Sequence, residues 1–90
     1  AQADSAIDQL NTLRGQELAL LFKEAGPRLT KVSIRSRDQI DAAALAAVFG
    51  GGGHYRAAGA ELAMPLRQAE AKVLAETRRR MAELGWTPES

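Results

Sequence analysis

The stretch LTKVSIRSR, Leu29 to Arg37, places the tightest constraint on what this chain can fold into. Thr30, Val32, Ile34 and Ser36 fall on one side of the alternation, and Lys31, Ser33, Arg35 and Arg37 on the other. Successive side chains of a β-strand point to opposite faces, so this pattern reads as a strand with one face in a core and the other carrying cations. Upstream, Glu17 to Lys23 reads as a second strand. Leu18, Leu20 and Phe22 share one face, while Glu17, Ala19, Leu21 and Lys23 share the other. Gly26-Pro27 between them is a turn signal, and a connection this short makes the pair an antiparallel hairpin.

Around that hairpin the sequence predicts helices. Asp4 to Leu13 reads as a short helix with Asp4 as N-cap, Ile7 and Leu10 on one face, and Gly15 as its break. Asp41 caps a helix running to about Phe49, with Ile40 and Leu45 in hydrophobic-staple positions and Gly50 as the left-handed residue that ends it. Gly59 to Met64 reads as a third strand, on which Ala60, Leu62 and Met64 alternate with Glu61 and Ala63. Pro65 opens a final helix to about Leu84, with Leu66, Ala69, Val73, Thr77, Met81 and Leu84 as its buried stripe. Gly85 closes that helix, and Trp86 is placed to fold back on Met81. The expected fold class is α+β, in the order α-β-β-α-β-α: a small sheet of about three or more strands, with an antiparallel hairpin, packed against helices.

Composition removes several classes of function. Ninety residues suit one small domain. A net charge of +1 argues against a strongly basic nucleic-acid coat but leaves room for a local basic patch. The absence of cysteine excludes a disulfide scaffold and thiolate metal sites, and fits a reducing cytoplasm. No apolar run approaches the roughly 20 residues of a membrane span. The first residues, AQADSAIDQL, have neither the basic start nor the apolar block of a signal peptide.

The candidate chemistry centres on FGGGGHYRAAG, Phe49 to Gly59. A run of four glycines can be a flexible linker. Between a capped helix and HYRAAG, which can start a further helical turn, it reads as a loop whose bare backbone approaches a ligand, and its consecutive N–H groups could form an anion nest. The Gly-Lys-Ser/Thr of a Walker A loop is absent, and a dinucleotide-binding fingerprint should follow a strand rather than a helix. His54, the only histidine, could donate a hydrogen bond to a phosphate or other polar group; alone it cannot supply the usual ligand set of a catalytic metal. On the strand, Arg35 offers a fork suited to phosphate, whereas the bland reading of Lys31, Ser33, Arg35 and Arg37 is a solvated sheet face. Arg78-Arg79-Arg80 reads as a solvated helix end, and Tyr55 and Trp86 as packing residues.

VSIRSR (Val32 to Arg37), followed by a helix ending in AAVFGGGGHYRAAG (Ala46 to Gly59), resembles the DHH-associated C-terminal domain of DHH-type phosphoesterases. The closest likeness is to bacterial oligoribonucleases that also act as phosphoadenosine-phosphate phosphatases. The match covers about residues 15 to 84. The resemblance implies that the chain is a single domain, 1–90, and the substrate-binding part of a larger two-domain hydrolase. The partner it implies is an N-terminal DHH domain carrying aspartate and histidine ligands for two metal ions, usually manganese. Carried over by position, Arg35, Ser36, Gly51, Gly52, Gly53 and His54 would contact a nucleotide, short RNA or DNA substrate. The Asp-His-His motif is absent from this chain, so no catalytic or metal residue is expected in it, and the 90 residues alone are expected to be inactive. A related domain ends many alanyl-tRNA synthetases, so RNA binding or dimerisation is the alternative that the same resemblance implies.

Overall fold

The computed structural model describes residues 8–13 and 17–85. Among them the elements are β1 (Asp8–Leu13), β2 (Leu18–Gly26), β3 (Leu29–Ser36), α1 (Ala42–Val48), β4 (Gly52–His54), β5 (Ala57–Leu62) and α2 (Leu66–Glu83). The strands form one five-stranded sheet in the order β1-β2-β3-β5-β4, with every neighbouring pair antiparallel.

The β2–β3 hairpin follows the alternation in the sequence. Leu18, Leu20 and Phe22 of β2 and Thr30, Val32, Ile34 and Ser36 of β3 are all buried. They join Ala60 and Leu62 of β5 on one face, and both helices cover that face. Ala42, Leu45 and Ala46 of α1, and Leu66, Ala69, Val73 and Met81 of α2, complete the same core. Thr30 is accommodated there because its hydroxyl donates to the Met64 carbonyl at 3.0 Å. The sheet therefore has one covered face, and an outer face that no described residue covers.

Helix α1 starts and stops as its sequence dictates. The Asp41 carboxylate accepts from the Ala44 N–H at 3.0 Å, and the staple pair Ile40 and Leu45 is buried. At its other end the Gly50 N–H donates to Ala47 and the Gly51 N–H to Ala46, with Gly50 at φ +84°. These two bonds and that left-handed residue are a Schellman motif. Gly85, also at φ +84°, follows α2 in the same conformation.

Five sequence expectations change. The region expected as a first helix contains β1, paired along its whole length with β2. Leu10 and Leu13 satisfy a helical i,i+3 spacing, but pairing to β2 takes the backbone, and Leu10 is left 65% exposed. HYRAAG starts no helical turn: Tyr55 and Arg56 are the two-residue turn of a β4–β5 hairpin, closed by His54 opposite Ala57. β4 itself is an additional strand, and the observed order is β-β-β-α-β-β-α. The buried stripe of α2 ends at Met81; Leu84 lies outside it and is exposed, and Pro65 stands as the N-cap rather than the first helical residue. Asp4, Ile7, Gly15 and Trp86 lie outside the described residues.

Candidate phosphate site on the outer face of the sheet

Registers across the sheet decide which candidate residues meet. Arg35 of β3 pairs with Ala57 of β5, and Ala57 pairs with His54 of β4. Directly paired residues of antiparallel strands project to the same side. Arg35, Ala57 and His54 therefore form one row on the outer face, with the outer two backbones two strand spacings apart, roughly 10 Å. Only the Ala57 methyl stands between a guanidinium and an imidazole, and both of those side chains are exposed. The next row is Ser33, Gly59 and Gly52. It adds a hydroxyl and two positions with no side chain, so the area beside Arg35 and His54 is a bare floor.

The four glycines are not equivalent. A Cβ on Gly51 would lie 2.1 Å from the Gly59 carbonyl oxygen and 2.7 Å from the Ala60 Cα. On Gly53, at φ +146°, it would lie 2.6 Å from the Ala58 Cα. These two residues are glycine because β4 must lie close against β5. Gly52 between them meets nothing within 4 Å and has no positive φ. Neither sterics nor backbone strain requires glycine at position 52. The anion nest expected from four consecutive amides is not built, because the Gly50 and Gly51 N–H groups are spent on α1 carbonyls.

Ser36 is not brought to this face. One residue beyond Arg35 on a strand, its side chain projects to the core side; it is 7% exposed, and its hydroxyl has no hydrogen-bond partner there. Arg35, Gly52 and His54 share the outer face, Gly51 and Gly53 shape β4, and Ser36 stands behind the sheet.

Sequence reasoning missed the structure that holds the row in place. The Tyr55 hydroxyl donates to the Asp38 carbonyl at 2.7 Å, and the Ala42 N–H donates to the Tyr55 carbonyl at 2.7 Å. The Ser36 N–H donates to the Arg56 carbonyl at 3.0 Å. From the other side the Glu17 carboxylate accepts from the N–H groups of Asp38 and Gln39 at 2.7 and 2.8 Å. The turn after His54 and the loop after Arg35 are thus tied together, which fixes the two ends of the row relative to each other. Nothing in the spacing of Glu17, Asp38 and Tyr55 announces this network.

The arginine triplet and Arg35 differ in their partners. Arg79 pairs with Glu76 and Glu83, and Arg80 with Glu76, so most of the arginine triplet is occupied on its own helix. The Arg79 side-chain hydrogen bonds hold the Glu76 carboxyl below its ordinary range, and Glu76 in turn raises Arg79. Arg35 forms no ion pair among the described residues. Nor does any group of three His, Cys, Asp or Glu side chains among them stand together as a metal site. His54 shares its row with a cation, which does not fit a divalent ion.

Arg35 and His54 thus stand exposed beside a glycine floor on the open face of a two-layer α+β domain. A family model of the DHHA1 domain matches residues 1–83, and the chain belongs to that family. The DHHA1 domain is associated with DHH-family phosphoesterases and generally accompanies an N-terminal DHH catalytic domain. Among the described residues no helix is long and apolar enough to cross a membrane.

Proposed function

We propose that this chain is the substrate-positioning part of a metal-dependent phosphoesterase, and that it holds a phosphate of a nucleotide or short oligonucleotide on the outer face of its sheet. Gly52 is the observation that carries this reading. The fold would tolerate a side chain there, yet the position is bare and lies on the outer face in the row next to that of Arg35 and His54. A residue that folding does not require to be glycine is explained by something else approaching its backbone closely.

In this reading Arg35 takes two phosphate oxygens through its guanidinium fork, and His54 donates a directional hydrogen bond from the far end of the row. Gly52, Ala57 and Gly59 admit the ribose or phosphate without obstruction. The chain's own residues bind and orient, and orientation alone can contribute several orders of magnitude to rate. Activation of water, by manganese or a similar ion, belongs to a DHH domain that would be the partner; no residue described here takes part in it. The expected substrates are short RNA or DNA and nucleoside phosphates.

The reading is tested by titrating the 90-residue chain with adenosine 3′,5′-bisphosphate. Arg35→Ala is expected to reduce affinity about tenfold or more, the scale of a charged hydrogen-bonded contact, while leaving the circular-dichroism spectrum unchanged. Unaltered affinity in that variant would overturn the assignment.

A further inference from the structure

The row assigned to phosphate does not use the rest of the cationic strand face. Along β3, Ser33 and Lys31 follow Arg35 on the same outer side, and beside them the surface sinks into an open depression of about 590 Å³. Its lining includes Lys31 and Ser33 on one side, Gly59 and Glu61 on β5, and Gly50 and Gly51 where α1 ends. The depression exists because Gly59 carries no side chain and β4 begins only at Gly52. It is continuous with the floor under Arg35 and His54.

Charge around it is arranged to be displaced. Lys31 sits opposite Glu61 of β5 and opposite Lys23 of β2. The only ion pair of Lys31 among the described residues is to Glu61 at 3.7 Å, and both side chains are more than half exposed. A pair that long and that wet contributes little. Two lysines directly opposite each other on one face are mutually unfavourable. An anion in the depression would relieve that repulsion.

We propose that this depression is a second phosphate subsite, with Lys31 and Ser33 as its ligands, so that the chain reads the length of a single-stranded oligonucleotide. The proposal rests on the assignment of Arg35 and His54 to a first phosphate. Arg35 and Lys31 are four positions apart along the strand, roughly 13 Å at the rise of a β-strand. One nucleoside bisphosphate is too short to occupy both positions, and a short extended oligonucleotide spans them. Ser33 and Gly59, between the two positions, leave room for the intervening backbone of two riboses and one phosphate.

The experiment compares adenosine 3′,5′-bisphosphate with a 5′-phosphorylated trinucleotide on the 90-residue chain, each across a series of salt concentrations. The trinucleotide is expected to bind more tightly. Lys31→Ala is expected to weaken it about fivefold, the scale of one exposed charged contact, and to lower its salt slope by about 0.7, one phosphate on a single strand. Affinity for the bisphosphate is expected to stay within a factor of two, and Lys31→Arg to restore the trinucleotide. Equal loss for both ligands, or no loss for either, overturns the subsite, as does a wild-type chain with no length preference. Arg35→Ala separates the two levels. If it leaves the bisphosphate unaffected, the first site fails and takes the subsite with it; if it weakens the bisphosphate while Lys31→Ala is length-independent, the subsite alone fails.

Discussion

Alanine at each of three consecutive glycines separates what the fold needs from what a ligand needs. At Gly51 the added methyl meets the Gly59 carbonyl oxygen at 2.1 Å and two atoms of Ala60 at 2.7 Å, all of them backbone or short side chain that cannot swing away. β4 must move off β5, at a cost of about 1–3 kcal/mol or more. At Gly53 the clash with Ala58 and the Ala57 carbonyl adds to a backbone at φ +146° that an L-residue rarely adopts, which carries a further penalty on the order of 1–3 kcal/mol. At Gly52 nothing lies within 4 Å, and restricting the unfolded chain should stabilise by about 0.4–1 kcal/mol. In a domain of this size each kcal/mol moves Tm by roughly 4–8 °C. Thermal melts followed by circular dichroism should therefore show Gly51→Ala and Gly53→Ala clearly lowered and Gly52→Ala unchanged or slightly raised. Affinity for adenosine 3′,5′-bisphosphate should nevertheless fall in Gly52→Ala, because its methyl projects from the floor beside Arg35 and His54. A Gly52→Ala variant as unstable as Gly51→Ala, or one that binds like wild type, would refute the division of roles.

Further outcomes follow from the same contacts. Tyr55→Phe removes the bond to the Asp38 carbonyl and should speed amide hydrogen exchange at His54 and Ala57 while leaving exchange in β2 unchanged; equal rates would show that the tie is unimportant. Phe22→Ala, at a fully buried position, should cost about 3–5 kcal/mol in urea denaturation. The Glu76 carboxyl is held below its ordinary value of 4.5, chiefly by hydrogen bonds from Arg79. Its contribution to stability is thus fully present above that value and is lost as pH falls through the lowered one. Acid titration of wild type against Glu76→Gln should show the stability gap closing only below about pH 4.5, and a gap that is constant down to the acid limit would contradict the pairing.

What the sequence disclosed, it disclosed through side chains. β2 and β3 were legible because Leu18, Leu20, Phe22, Val32 and Ile34 bury one face and cations take the other, and α1 because Asp41, Ile40, Leu45 and Gly50 each carry a capping signal. β4 was not legible. Glycines have no side-chain alternation, and glycine is depleted from strands, so only the close packing of Gly51 and Gly53 against β5 reveals the pairing. Tyr55-Arg56 also lacks the Asn-Gly or Asp-Gly signature of a two-residue turn. β1 was misread because an edge strand buries little, and its two leucines happen to fall at helical spacing. Within the site, Arg35 and His54 were found by residue type. The alternation of β3 places Arg35 and Ser36 on opposite faces, whereas a motif taken as a continuous run keeps them together.

The most direct measurement is a titration of the ¹⁵N-labelled 90-residue chain with adenosine 3′,5′-bisphosphate, followed through its amide and side-chain resonances. A phosphate held on the outer face predicts saturable shifts concentrated at Arg35, Gly52, His54 and Ala57, including the Arg35 Nε–H, with α2 unmoved. Shifts centred instead on Arg78 to Arg80, or none at these four residues at saturating ligand, would contradict it.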